Sequence, residues 1–212
     1  MTAARADRGI VFDFAGVLFT WSPPRLLQRE LPEHAVDDTS AAHWAATFFQ
    51  NYGGDWLEFD RGSISVPTLI DRIAQRTGLA PQAVQRVVDG VPRELQAIGA
   101  SVALLARLRA AGHRLFFLSN MPEPYARHLQ RTHNFIGEFE RGVFSADVNL
   151  AKPEPAIFEL AASRFGLAPR QLMFMDDHLP NVTAAQALGW NAFVFENAGQ
   201  ADTELRAQGW ID

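Results

Sequence analysis

Asp13, Ser119, Asn120, Lys152, Asp176 and Asp177 are the side chains whose types and positions could do chemistry together. Asp13 directly follows the apolar run GIVF (9–12), Ser119 and Asn120 follow LFFL (115–118), and Asp176 and Asp177 follow LMFM (172–175). Lys152 stands in the connection that precedes the last of these runs. One acid or serine after a strand is ordinarily a turn or capping residue. What gives these weight is that all of them stand at corresponding ends of runs that read as neighbouring strands, and in open α/β sheets ligands bind outside the carboxyl ends of the strands.

A charge count says what such a cleft could hold. Asp13, Asp176 and Asp177 bring three negative charges and Lys152 one positive charge. A phosphate monoester adds roughly two more negatives near neutral pH. A semi-enclosed site with that surplus would force its carboxylates to protonate, whereas a hard divalent cation with oxygen ligands removes half of it. Either a metal binds there or the three acids do not converge.

The elements that must position these groups follow from the hydrophobic pattern. Continuous apolar runs at 9–12, 115–118, 172–175 and 192–195, with a weaker one at 143–144, have the composition of strands buried on both faces of a parallel sheet. Between them, apolar residues recur three and four apart and end at Gly112, Gly166 and Gly189, as amphipathic helices with left-handed C-caps require. The alternation predicts an α/β fold, a doubly wound, Rossmann-like parallel sheet. Residues 21–92 break the rhythm with helical stretches at 41–52, 66–76 and 81–88. They read as a helical insert after the first strand, leaving 1–20 and 93–212 for the α/β core.

Composition narrows the function classes. The 212 residues are 48% hydrophobic, enough for a large core. Of the 19 basic residues only Lys152 is lysine. With 24 acidic side chains, a net charge of −5 and dispersed arginines, no nucleic-acid partner is expected. The absence of cysteine excludes disulfides, thiolate metal sites and a cysteine nucleophile. No apolar stretch approaches a bilayer span, so no membrane partner is expected. Residues 1–8 lack the apolar segment of an export signal, which makes a cytoplasmic location the expectation. The dinucleotide, P-loop, zinc-protease and serine-hydrolase signatures are absent. Oligomeric state is not legible.

Taken in order, FDFAGVL (12–18), LSN (118–120), Lys152 with Pro153, and Asp176, Asp177 with Asn181 resemble the four motifs of the haloacid dehalogenase superfamily of hydrolases, over essentially the whole chain. The resemblance implies that Asp13 is a nucleophile forming an aspartyl intermediate that water hydrolyses, and that Ser119, Asn120 and Lys152 bind the phosphoryl group of a small phosphorylated substrate. It implies a magnesium ion held by Asp13, the backbone carbonyl of Ala15, Asp176 and Asp177, supported by Gly16 and Asn181, with the helical insert as a cap.

Most phosphatases of that superfamily carry a general acid two residues after the nucleophile, and this chain has Ala15 there. In this it is similar to a subgroup that includes a bacterial phosphatase of α-glucose 1-phosphate, which points to a sugar-phosphate-like substrate. His178, Asp55, Glu58 and Asp60 are the candidates for a substitute acid. Trp21, Trp44, Phe48, Phe49, Tyr52 and Trp56 fit either a pocket wall or the core of the insert. Two alternatives stay open: a 2-haloacid dehalogenase using the same Asp13, and a catalytically weak ligand-binding regulator.

Overall fold

The computed structural model describes residues 7–212; residues 1–6, most of the stretch on which the export reading rests, lie outside that description. The apolar runs form five parallel strands, β1 (Gly9–Phe12), β2 (Arg114–Ser119), β3 (Arg141–Phe144), β4 (Leu172–Asp176) and β5 (Asn191–Val194). They lie in the order β3-β2-β1-β4-β5. Phe12 pairs in register with Phe117 of β2 and with Met175 of β4, so Asp13, Ser119 and Asp176 emerge along one edge. The strand order reverses at β1, which makes that edge the switch-point crevice of a doubly wound sheet.

Between β1 and the α/β part that resumes near residue 95 lie five helices: α1 (Pro23–Glu30), α2 (Asp38–Phe49), α3 (Gly54–Asp60), α4 (Val66–Thr77) and α5 (Pro81–Glu94). The remaining helices are α6 (Gly99–Ala110), α7 (Glu123–Thr132), α8 (Pro155–Phe165), α9 (Leu179–Ala187) and α10 (Ala198–Ala207). Alternate residues of β1 serve opposite faces. Val11 packs with Phe116, Phe158 and Phe174 beneath α8 and α9. Ile10 and Phe12 join the other face, whose apolar cluster runs on through Leu26, Phe48, Trp56 and Val87 of the helical segment. The segment and the sheet thus share one continuous core.

Among the boundaries that differ from the sequence reading, two bear on the helical segment. The second helix stops at Phe49, because Gln50, Asn51 and Tyr52 all take positive φ (50°, 50° and 65°). Helix α5 runs on to Glu94 with Pro92 inside it, so a division at 92/93 cuts a helix. Where the chain leaves and re-enters the α/β part, the two crossings pair: Thr20 N–H donates to the Gln96 carbonyl (2.8 Å) and Ile98 N–H to that of Leu18 (2.8 Å). Glu94, buried at this base, holds Arg25 (2.6 Å) and Arg29 (3.0 Å).

Candidate active site

The lone lysine is buried between two of the acids. Lys152 Nζ lies 2.9 Å from Asp13 Oδ2 and 2.6 Å from Asp176 Oδ2, and donates to the Leu118 carbonyl at 3.1 Å. An ammonium has three donors and no acceptor, so its valence is filled by these three oxygens. The other Asp13 oxygen accepts from Phe14 N–H at 2.7 Å. Asp176 is held on its remaining sides by Asn181 Nδ2 (3.1 and 3.0 Å) and by the His178 N–H (2.8 Å).

Asn120 fixes the lysine from behind. Its side chain donates to the Lys152 carbonyl (2.9 Å) and accepts from the Lys152 N–H (2.8 Å). Both ends of an amide expected to bind phosphate are therefore engaged with main chain, which makes Asn120 a positioning residue, although it also borders the cavity.

Asp13, Asp176 and Asp177 each present a carboxylate oxygen within 4.8 Å of the others. Oxygen donors at that spacing suit a hard divalent cation such as magnesium. The backbone is shaped for the cluster: Gly16 has φ +80°, and a Cβ there would lie 2.1 Å from Asp177 Oδ2. Asp177 is exposed, at the cavity side of the group. Ser119 is different. Its hydroxyl is fully buried and has no hydrogen-bond partner among the described residues, and it does not line the cavity.

A cleft with a cavity volume of about 140 Å³ opens above these groups. Asp13, Ala15, Asn120, Lys152 and Asp177 form its floor, while Trp21, Tyr52, Trp56 and Asp60 of the helical segment face Met121 and Tyr125 of the α/β part.

The model of haloacid dehalogenase-like hydrolases matches residues 8–189. The chain belongs to this family. It is 26% identical over 183 residues to a sesquiterpene phosphatase of Aspergillus oryzae, covering 86% of each protein. It is 25% identical to the phosphoglycolate phosphatase of Escherichia coli, covering 86% of this chain and 78% of that protein. Among solved structures, a family enzyme of Bacteroides thetaiotaomicron in complex with magnesium and inorganic phosphate superposes with a TM-score of 0.67 at 21% identity, over 88% of this chain and 93% of that one. An L-2-haloacid dehalogenase superposes with a TM-score of 0.69 at 22% identity, over 88% and 85%.

Within this haloacid dehalogenase-like hydrolase the electrostatics follow from burial. Burial raises the Asp13 carboxyl above its ordinary range; Lys152 opposes the rise, and Asp176 and Asp177 reinforce it. Burial works against the Lys152 charge, but Asp13 and Asp176 outweigh it and raise its pKa. Asp177 is raised by desolvation and then by Asp176. The cluster holds more negative charge than one ammonium neutralises.

The structure also sorts the candidate acids. Asp55 is paired with Arg76 (3.2 Å) and Arg72 (3.7 Å), and Glu58 with the Ser63 hydroxyl (2.9 Å). Neither lines the cavity; Asp60 and His178 do. Of the aromatics, Trp21, Tyr52 and Trp56 border the cleft, whereas Phe48 and Phe49 are buried in the core and Trp44 packs on it beside His34. Sequence reasoning missed Met121 and Tyr125, the latter a buried wall residue whose hydroxyl donates to the Val88 carbonyl at 2.9 Å.

Proposed function

We propose that this hydrolase is a magnesium-dependent phosphatase that cleaves a small organic phosphate monoester through an aspartyl-phosphate intermediate. The observation that carries the reading is Lys152 bridging Asp13 and Asp176 at the floor of the cleft, beside Asp177. A displacement at carbon gains nothing from two further carboxylates beside the nucleophile, so the acid pair argues against dehalogenation. The likeness to an L-2-haloacid dehalogenase is one of fold.

Magnesium, when held by Asp13, Asp176 and Asp177, supplies positive charge against the phosphoryl oxygens and keeps Asp13 ionised. In this proposal Asp13 Oδ attacks phosphorus in line with the leaving oxygen. Lys152 offsets charge on the transferring group, whereas Ser119, buried and outside the cavity lining, is given no step. The helical segment serves as the cap that excludes water while the bond to Asp13 forms.

For the organic group the cleft offers the apolar faces of Trp21, Tyr52, Trp56, Val91 and Leu95. The hydroxyls of a sugar would have to be met by Tyr52, Asp60 and His178 of the lining. An apolar or aromatic substituent fits better, and the similarity to a sesquiterpene phosphatase supports the same reading.

The test is phosphate release from sugar, aryl and isoprenyl monophosphates, with and without magnesium, with Asp13→Asn as control. The expected result is chelator-sensitive release, fastest for apolar esters and absent in the variant. Metal-independent halide release from a 2-haloacid would establish the dehalogenase instead.

A further inference from the structure

We propose that Asp60 is the catalytic proton donor and acceptor of this site, taking from the helical segment the role that Ala15 cannot perform. This rests on the phosphatase reading above. Asp60 is the last residue of α3, 8% exposed, and lines the same cleft as Asp13 and Lys152, with the Lys152 charge close enough to act on its carboxyl. The carboxylate itself has no hydrogen-bond or ion-pair partner among the described residues, the Ser145 bond going to the Asp60 main chain. Structurally this is an unfavourable residue. A buried carboxylate without partners is costly, and the C-terminal end of a helix repels negative charge. A buried, unpaired acid that lines a cleft is a candidate for function.

Its position is fixed from the α/β side. The Ser145 hydroxyl donates to the Asp60 carbonyl and itself accepts from Met121 N–H at 2.8 Å. Arg61 pairs with Glu154, two residues beyond Lys152, at 2.8 Å. Gly62 has φ +80°, and a Cβ there would lie 3.1 Å from Ala146 Cα. The turn that bears Asp60 is therefore docked onto the loops that carry Ser145 and Lys152.

The charged and titratable groups around it are Lys152, Tyr125 on α7, and Tyr52, with Asp13, Asp177 and His178 across the cleft. Burial pushes the Asp60 carboxyl up to about 8, with Lys152 alone pulling it down. Burial thus favours its protonated form near neutral pH. As Asp13 Oδ bonds to phosphorus and the ester P–O bond breaks, the Asp60 proton passes to the leaving oxygen and the alcohol departs. The Asp60 carboxylate then takes a proton from the water whose oxygen attacks phosphorus. Phosphate leaves, Asp13 is free, and Asp60 is again protonated.

The experiment compares kcat/KM for benzyl phosphate, whose alkoxide needs a proton, with that for 4-nitrophenyl phosphate, whose phenolate does not, in wild type and Asp60→Asn. General acids contribute about 10²–10⁴ in rate, so benzyl phosphate should lose at least about 100-fold and 4-nitrophenyl phosphate far less. The variant should also show a burst of nitrophenol, since hydrolysis of the aspartyl intermediate lacks its base. Its kcat/KM for benzyl phosphate should lose the alkaline fall that the proposal predicts for wild type. Retained nitrophenyl turnover proves the variant folded. Equal losses on both esters, or an unchanged ratio without a burst, would overturn the assignment of Asp60 while leaving the phosphatase reading intact. A wild-type protein that releases phosphate from neither ester refutes both.

Discussion

The Asn120 side chain grips the main chain of Lys152 at two points, donating to its carbonyl and accepting from its N–H at 2.9 and 2.8 Å. Residues 32 apart in sequence are joined there, and the join sets where the ammonium enters the acid cluster. Asn120→Ala removes both bonds, each worth about 0.5–1.5 kcal/mol net. The expected outcome is a folded protein whose kcat falls about tenfold or more, with KM changed less. An unchanged kcat would show that the Lys152 loop is held by its other contacts.

The lysine itself gives a sharper test. Its three donors meet three oxygens, those of Asp13, Asp176 and Leu118. The planar fork of arginine cannot point its donors at three such separated acceptors. Lys152→Arg should therefore lose most activity while the circular dichroism spectrum is retained. Lys152→Met leaves the buried acids uncompensated, a loss of about 3–5 kcal/mol by comparison with other broken buried pairs. Urea denaturation without metal should show that larger deficit.

These contacts also mark how far the sequence could be read. The β1 and β4 runs were visible because burial on both faces makes every residue apolar, and their ends carry Asp13 and Asp176. Helix α1 was hidden by Pro23 and Pro24, which look like breakers but sit in the first turn, where proline is tolerated. Helix α7 was hidden because it buries only Tyr125, Ala126 and Leu129. Asp55, Glu58 and Asp60 stand on one short helix as equivalent candidates. Which of them meets the cleft depends on how α3 docks against Ser145 and Glu154, a tertiary relation without a local signature.

Gly16 separates the metal site from the fold. Its φ of +80° and the 2.1 Å from a notional Cβ to Asp177 Oδ2 mean that alanine displaces the Asp177 carboxylate. Gly16→Ala should weaken magnesium binding, read by calorimetry on the protein alone, and raise the magnesium concentration needed for half-maximal rate. The backbone strain of a non-glycine residue there adds about 1 kcal/mol of instability. Unaltered magnesium affinity would remove Asp177 from the ligand set.

Asp60 predicts a pH dependence of stability whose sign can be worked out. Its carboxyl is raised from 3.8 to about 8 by burial, against the pull of Lys152. An acid with a raised folded pKa binds its proton more tightly when folded, so stability falls with pH wherever the folded chain binds more protons. The contribution is complete below 3.8 and is lost as pH rises to about 8. Asp13, also raised by burial, acts in the same direction in metal-free protein. Asp60→Asn cannot ionise, so it escapes its share of that loss. Melting temperatures without metal should show the variant gaining on wild type from pH 5 to pH 8.5, by about 2–4 °C for each kcal/mol. A constant difference across that range would mean that Asp60 keeps an ordinary carboxylate pKa, and that its proton is already gone at the pH where the ester must be cleaved.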